Sequence, residues 1–137
     1  MKIFLDVNVL VSVLNKEFPL FSYSSRVLSL CDHPRFEVFT SPICLAIAFY
    51  FAEKKSGTQL AKEKINLLIS KIKITNTDSK VVQQAIQNPA VHDFEDGMEY
   101  YSALYSDCKV IITEDKNDFY YSEIEVLGCV DFLKKYL

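Results

Sequence analysis

Twice in this chain a short apolar run stops on an aspartate, and that pattern restricts the fold more than any other feature. Lys2-Ile-Phe-Leu-Asp6-Val-Asn8 reads as a buried strand that ends on a carboxylate and passes into an amphipathic run. Lys109-Val-Ile-Ile-Thr-Glu-Asp115-Lys-Asn-Asp118-Phe repeats the arrangement near the C-terminus. Between them, Asp93-Phe-Glu-Asp96 opens a helical segment. Two strands ending on Asp and a helix beginning with Asp point to one pocket that gathers negative charge, and such a pocket calls for a divalent cation.

The rest of the chain alternates in the same way. Strands are expected at residues 3–5, 36–39, 72–74, 110–113 and 124–127. Helices are expected at 8–14, 22–30, 42–55, 58–70, from Asp78 to about 88, at 95–106 and from Val130 onward. Thr40 or Ser41 can cap the third helix, with Pro42 at its first position, where a missing N–H costs nothing. That helix is apolar on nearly every face and is expected to be buried. Repeated βα units with short connections predict a parallel sheet covered by helices on both sides. Ligands of such sheets bind beyond the carboxyl ends of the strands, which is where this reading places Asp6 and Asp115.

A chain of 137 residues, half of them apolar, suffices for one core, so a single domain over residues 1–137 is expected. Cys31, Cys44, Cys108 and Cys129 have no C-x-x-C pairing and read as reduced thiols of an intracellular protein. The N-terminus lacks the pattern of a signal peptide, and no apolar run approaches the roughly 20 residues of a membrane span. A cytoplasmic location without membrane contact follows as the expectation. The net charge of −3 and the two arginines, Arg26 and Arg35, do not advertise a polyanion-binding surface. Lys54, Lys55, Lys62, Lys64, Lys71 and Lys73 cluster in one stretch and read either as a solvated helix face or as a basic rim beside the acidic pocket.

Asp6-Val-Asn8-Val-Leu after the first strand, Asp93-Phe-Glu-Asp96-Gly, and Ile112-Thr113-Glu-Asp115-Lys-Asn-Asp118-Phe resemble the three motifs of small bacterial PIN domains, typified by the ribonuclease toxins of VapBC toxin–antitoxin pairs. The resemblance spans nearly the whole chain. It implies a Rossmann-like α/β/α sandwich with a parallel sheet of about five strands, and hydrolysis of RNA phosphodiesters assisted by Mg²⁺ or Mn²⁺. It also implies a small antitoxin as partner and a homodimer. Carried over by position, Asp6, Asp96 and Asp115 are the metal ligands and, with Asp118, the catalytic acids. Asn8, Thr113 and Asp93 support them.

The chain departs from the family pattern twice. Glu114 stands where the third motif usually has Arg or a similar residue. Ile47 stands one turn into the third helix, where small PIN nucleases usually carry Glu and some subfamilies Asn. Glu53 cannot substitute, because six residues further on is a rotation of about 240° and a rise of about 9 Å. A site with one carboxylate fewer than the full set is therefore expected.

Physical chemistry agrees that such acids need a counter-ion. Two carboxylates roughly 5 Å apart repel by about 3 kcal/mol at an effective dielectric of about 20. Several in one pocket must protonate, pair with a base or bind a cation. Hard oxygen donors without His or Cys suit Mg²⁺ or Mn²⁺, which accept phosphate oxygens directly. Each acid also has a plainer role: Asp93 as a helix cap, Asp96 as a charge answering the helix dipole, Asp6 as a cap after the first strand, Asp118 as a turn residue. His92 reads as a surface residue, and Phe94, Tyr100, Tyr101, Tyr105, Tyr120 and Tyr121 as packing rather than base-stacking groups. Two functions stay open: a metal-dependent endoribonuclease, and a catalytically weakened PIN-fold module that binds RNA or a protein. Haloacid-dehalogenase phosphatases need a second Asp where Asn8 stands, and receivers need a Lys that the third motif lacks.

Overall fold

A computed structural model describes residues 1–137. Five parallel strands form one sheet: β1 (Lys2–Leu5), β2 (Glu37–Thr40), β3 (Lys73–Ile74), β4 (Val110–Ile112) and β5 (Glu125–Leu127), in the order β3-β2-β1-β4-β5. Seven helices flank it: α1 (Val7–Leu14), α2 (Phe21–Leu28), α3 (Pro42–Ser56), α4 (Thr58–Ile69), α5 (Ser79–Gln87), α6 (Phe94–Tyr105) and α7 (Cys129–Tyr136). The α/β architecture with its parallel sheet is the one the alternation implied.

Strand β1 lies at the centre, and Ile3, Phe4 and Leu5 are all fully buried. Successive strand residues face opposite sides, so total burial of three in a row requires cover on both faces. The chain runs outward from β1 to β2 and β3, then returns to lay β4 on the other flank of β1, pairing Phe4 with Ile111 and Leu5 with Ile112. The order reverses between β1 and β4. A crevice opens at such a reversal beyond the carboxyl ends of the strands, and Asp6 and Thr113 are the first residues past those ends.

Several local expectations shift by a residue or two, one open alternative is resolved, and two expectations change in substance. Helix α2 ends at Leu28 and tightens into a 3-10 turn over Ser29–Asp32. Ser41, not Thr40, caps α3, its Oγ accepting from Cys44 N at 3.1 Å; the Thr40 hydroxyl instead donates to Leu5 O at 2.8 Å and ties β2 to β1. Helix α3 is not buried on all faces. Only the stripe Cys44, Ala48, Ala52 is buried, while Tyr50 and Phe51 are 54% and 43% exposed. Small residues at i, i+4 and i+8 let the neighbouring helices α1 and α4 pack close, which leaves the bulky aromatics outside. Near the crevice, Gly97 lets α6 press on the preceding loop and on α5, because a Cβ there would lie 2.5 Å from Val91 Cγ1 and 3.2 Å from Ala85 Cβ.

Candidate metal centre

Asp6 is the pivot. Its backbone N–H donates to Ile112 O at 3.0 Å, joining the ends of β1 and β4. Its side chain caps α1: Oδ1 accepts from Val7 N at 2.7 Å, and Oδ2 accepts from Thr113 Oγ1 at 2.8 Å. The Thr113 hydroxyl, itself fully buried, also accepts from Asn8 Nδ2 at 3.0 Å and from Asp115 N at 3.0 Å. Asn8 completes the lacing, donating to Asp115 Oδ2 at 3.1 Å and accepting from Glu114 N at 3.2 Å through Oδ1. Two segments more than a hundred residues apart thus hold each other's polar groups in register. Asp118, in a 3-10 turn over Lys116–Phe119, borders a polar cavity of about 320 Å³ together with Asp115.

Helix α6 brings the third segment. Asp93 is its N-cap and accepts from Asp96 N at 3.0 Å. Asp96 is half-buried, and its carboxyl is pushed up to about 7, first by burial and then by the charges of Asp93, Asp118, Asp6 and Glu95. Asp6 is raised as well, chiefly by burial, although the donors Thr113 and Val7 pull it down and Asp115 pushes it up. Asp118 is raised by desolvation and by Asp115 and Asp93. Acids from β1, α6 and the loop after β4 therefore sense one another's charge. No cation-bearing side chain pairs with Asp6, Asp96, Asp115 or Asp118.

Two site residues escaped the sequence reading. Glu99 lies three residues beyond Asp96, hence on the same face of α6. It is 1% exposed, Oε1 accepts from Cys44 Sγ at 2.8 Å, Oε2 meets no donor group, and the carboxyl lies within hydrogen-bonding reach of Asp6. One donor atom each from Asp6, Cys44 and Glu99 lie within 4.8 Å of one another. Burial and the neighbouring Asp6 raise Glu99 well above the usual carboxylate range, and burial with the charges of Glu99 and Asp6 does the same to the Cys44 thiol. The helical spacing from Asp96 was the available signal for Glu99. Cys44 carried none, since a cysteine in an apolar helix reads as core.

Other residues take up different work. Glu114 lines the same polar cavity as Asp115 and Asp118, while its Oε2 accepts from Cys129 N at 2.9 Å and answers the N-terminus of α7. Glu53 accepts from Thr58 Oγ1 at 2.8 Å at the α3–α4 junction. The lysine cluster does not rim the acids. Lys55 and Lys64 donate to the carbonyls of Asn15 and Leu14 at the C-terminus of α1, a helix length of about 12 Å from Asp6. Lys73 pairs with Glu37 at the start of β2. His92 is exposed beside Tyr120, whose hydroxyl lies 3.0 Å from His92 Nε2. All four cysteines are free.

A profile of the family described as PIN domain matches residues 2–117. The chain belongs to the PIN domain family. It is 28% identical to Ribonuclease VapC1 of Aquifex aeolicus, over 98% of this chain and 95% of that protein. Solved structures with the same fold include VapBC-1 from nontypeable Haemophilus influenzae (TM-score 0.70, 16% identity, 95% of this chain and 99% of that one). Another is VapBC2 from Rickettsia felis, solved with a DNA fragment from their promoter (TM-score 0.69, 18% identity, 93% and 98%). The fold shared with these structures is the sheet order and helix cover described above. No helix is long and apolar enough to cross a membrane.

Proposed function

We propose that this PIN domain is a divalent-metal-dependent endoribonuclease, with Asp6, Asp96 and Asp115 as ligands of Mg²⁺ or Mn²⁺ and Asp118 as a further acid of the site. The observation that carries it is the mutual charge-raising of acids from three distant segments at the β1/β4 crevice, with no basic side chain to neutralise them. The donor set of Asp6, Asp96 and Asp115 fits a hard cation, because it is built from carboxylate oxygens. When bound, such an ion polarises a phosphoryl oxygen and lowers the pKa of a coordinated water.

The chain's own groups do the rest. Thr113 and Asn8 fix the carboxylates of Asp6 and Asp115 through hydroxyl and amide hydrogen bonds, so the ligands need little reorganisation. Asp93 holds the first turn of α6 and hence the position of Asp96. No side chain is needed as a covalent nucleophile. With a net charge of −3 and the lysines engaged elsewhere, cation bridging supplies the attraction for a phosphate backbone.

The relative named a ribonuclease supports an RNA substrate, and the VapBC structures support a small antitoxin partner; a cytoplasmic location belongs to the same proposal. A groove of about 320 Å³ between α1, α2 and α4 suits such a partner: Leu14, Leu28 and Leu67 line it, and Lys16, Lys64 and Lys71 rim it. An acidic amphipathic helix would satisfy both its apolar floor and its positive edge. Exposed Tyr50 and Phe51 on α3 and Ile86 on α5 are the surfaces on which a homodimer is proposed. The second reading, a weakened binding module, draws on Ile47, since α3 contributes no carboxylate. Cleavage of structured RNAs with and without Mn²⁺, in wild type and Asp96→Asn, separates the two. Mn²⁺-dependent cleavage abolished in the variant supports the nuclease; RNA binding without cleavage supports the module.

A further inference from the structure

We propose that Glu99, from α6, supplies the carboxylate that α3 lacks, and that Cys44 stands beside it as a sulfur donor, so that the cation bound at Asp6 is Mn²⁺ in preference to Mg²⁺. This rests on the metal-dependent reading above and assigns the site two ligands and a selectivity.

Three observations carry the assignment. The first is Glu99 Oε2, which in a side chain 1% exposed meets no donor group and has the Asp6 carboxyl as its neighbour. Buried polar atoms in folded proteins are almost always paired, so an orphan aimed into a cluster of donors marks a place for something that binds them. The second is the donor spread. Asp6, Cys44 and Glu99 each offer one atom within 4.8 Å of the others. A first-row divalent ion with bonds of about 2.1 Å to oxygen and about 2.3 Å to sulfur holds donors roughly 3–4.4 Å apart, so the group closes on an ion by small side-chain rotations. The third is position: Glu99 sits on α6 three residues beyond Asp96, on the same helix face. The carboxylate on α6 therefore compensates for Ile47 on α3, and it reaches Asp6 from another wall of the crevice.

Cys44 sets the preference. Mg²⁺ is hard and binds oxygen, whereas a thiolate favours softer ions, so of Mg²⁺ and Mn²⁺ a site with one sulfur donor favours Mn²⁺. Binding releases the thiol proton to solvent as the metal–sulfur bond forms.

The test uses the full chain with metal ions alone as ligands. Calorimetric titration of wild type is expected to show Mn²⁺ bound at least about tenfold more tightly than Mg²⁺, with Glu99→Gln losing about tenfold or more in Mn²⁺ affinity. Cys44→Ser is expected to bring Mn²⁺ and Mg²⁺ close to parity. Co²⁺ serves as a spectroscopic probe: a near-ultraviolet sulfur-to-cobalt charge-transfer band is expected in wild type and Glu99→Gln, and its loss in Cys44→Ser. Metal-free melting curves check folding, and Glu99→Gln is expected to melt no lower than wild type because a buried acid is replaced by its amide. Equal Mn²⁺ affinity in Glu99→Gln, or bound Co²⁺ without the sulfur band in wild type, overturns the proposal. If Asp6→Asn and Asp115→Asn abolish Mn²⁺ uptake while Glu99→Gln does not, only this assignment falls. If wild type takes up no Mn²⁺ or Co²⁺, the nuclease reading falls with it.

Discussion

Replacing Thr113 by Val tests how much of the site's order depends on one hydroxyl. The exchange conserves shape but removes a donor to Asp6 Oδ2 and an acceptor for Asn8 Nδ2 and Asp115 N. The bond to Asp6 is buried, so its loss is the largest contribution: about 2–3 kcal/mol for a carboxyl oxygen left without its donor. Asn8 keeps its bond to Asp115, and the Asp115 amide lies on the exposed loop where water replaces the hydroxyl, so these two legs add about 0.5–1 kcal/mol together. The total of about 3 kcal/mol corresponds to a fall in Tm of roughly 10 °C, taking an unfolding entropy of about 2.1 cal/mol/K per residue. Thr113→Ser keeps the hydroxyl and loses a methyl, at about 1 kcal/mol. Urea denaturation of the metal-free proteins at neutral pH measures the difference. A Thr113→Val protein as stable as Thr113→Ser refutes the reasoning, because the hydroxyl would then be organising nothing.

The remaining predictions concern the charges around the crevice. Asp96 sits at about 7 in the folded chain against an ordinary 3.8, so the folded state holds a proton that the unfolded state has lost across that window. Metal-free stability is therefore complete below about pH 4, declines as pH rises, and levels above about 7; buried Asp6 and Glu99 act in the same direction. Asp96→Asn is expected to flatten that slope in denaturation curves taken across the range, and an unchanged slope would remove Asp96 as its source. Apparent Mn²⁺ affinity is expected to rise between about pH 6 and 8 as competition from protons ends, which titrations at the two pH values check. Glu114→Ala removes the acceptor of Cys129 N at the start of α7 and is expected to cost about 1 kcal/mol, with Mn²⁺ affinity unchanged. A variant of full stability but altered metal binding would return Glu114 to the site.

Much of this architecture was legible in the chain because strand burial and strand ends leave strong marks. Ile3, Phe4 and Leu5 are apolar without alternation, as a strand covered on both faces must be, and Asp6 follows where the cover stops. Asp93 was readable as a cap for the same local reason. What was harder to read was direction. Glu114 lines the cavity of Asp115 and Asp118, and the motif gave no sign that it also holds the N-terminus of α7, a contact made by a segment fifteen residues away. The lysines left a solvated face and a rim both open, and Lys55 and Lys64 in fact answer the carbonyl end of α1. Helix α3 looked buried because its composition is apolar, but small residues define the packed stripe and the aromatics face out. Glu99 and Cys44 come together from different helices, and only the three-dimensional arrangement sets a thiol against a buried carboxyl.

Whether Asp6, Asp96 and Asp115 hold one cation between them is decided most directly by titrating Mn²⁺ into the metal-free protein and into Asp6→Ala by calorimetry. Saturable binding to wild type, lost in Asp6→Ala with its fold intact by circular dichroism, is the expected result. Absence of Mn²⁺ binding in wild type, or equal binding in the variant, contradicts a cation site at the β1/β4 crevice.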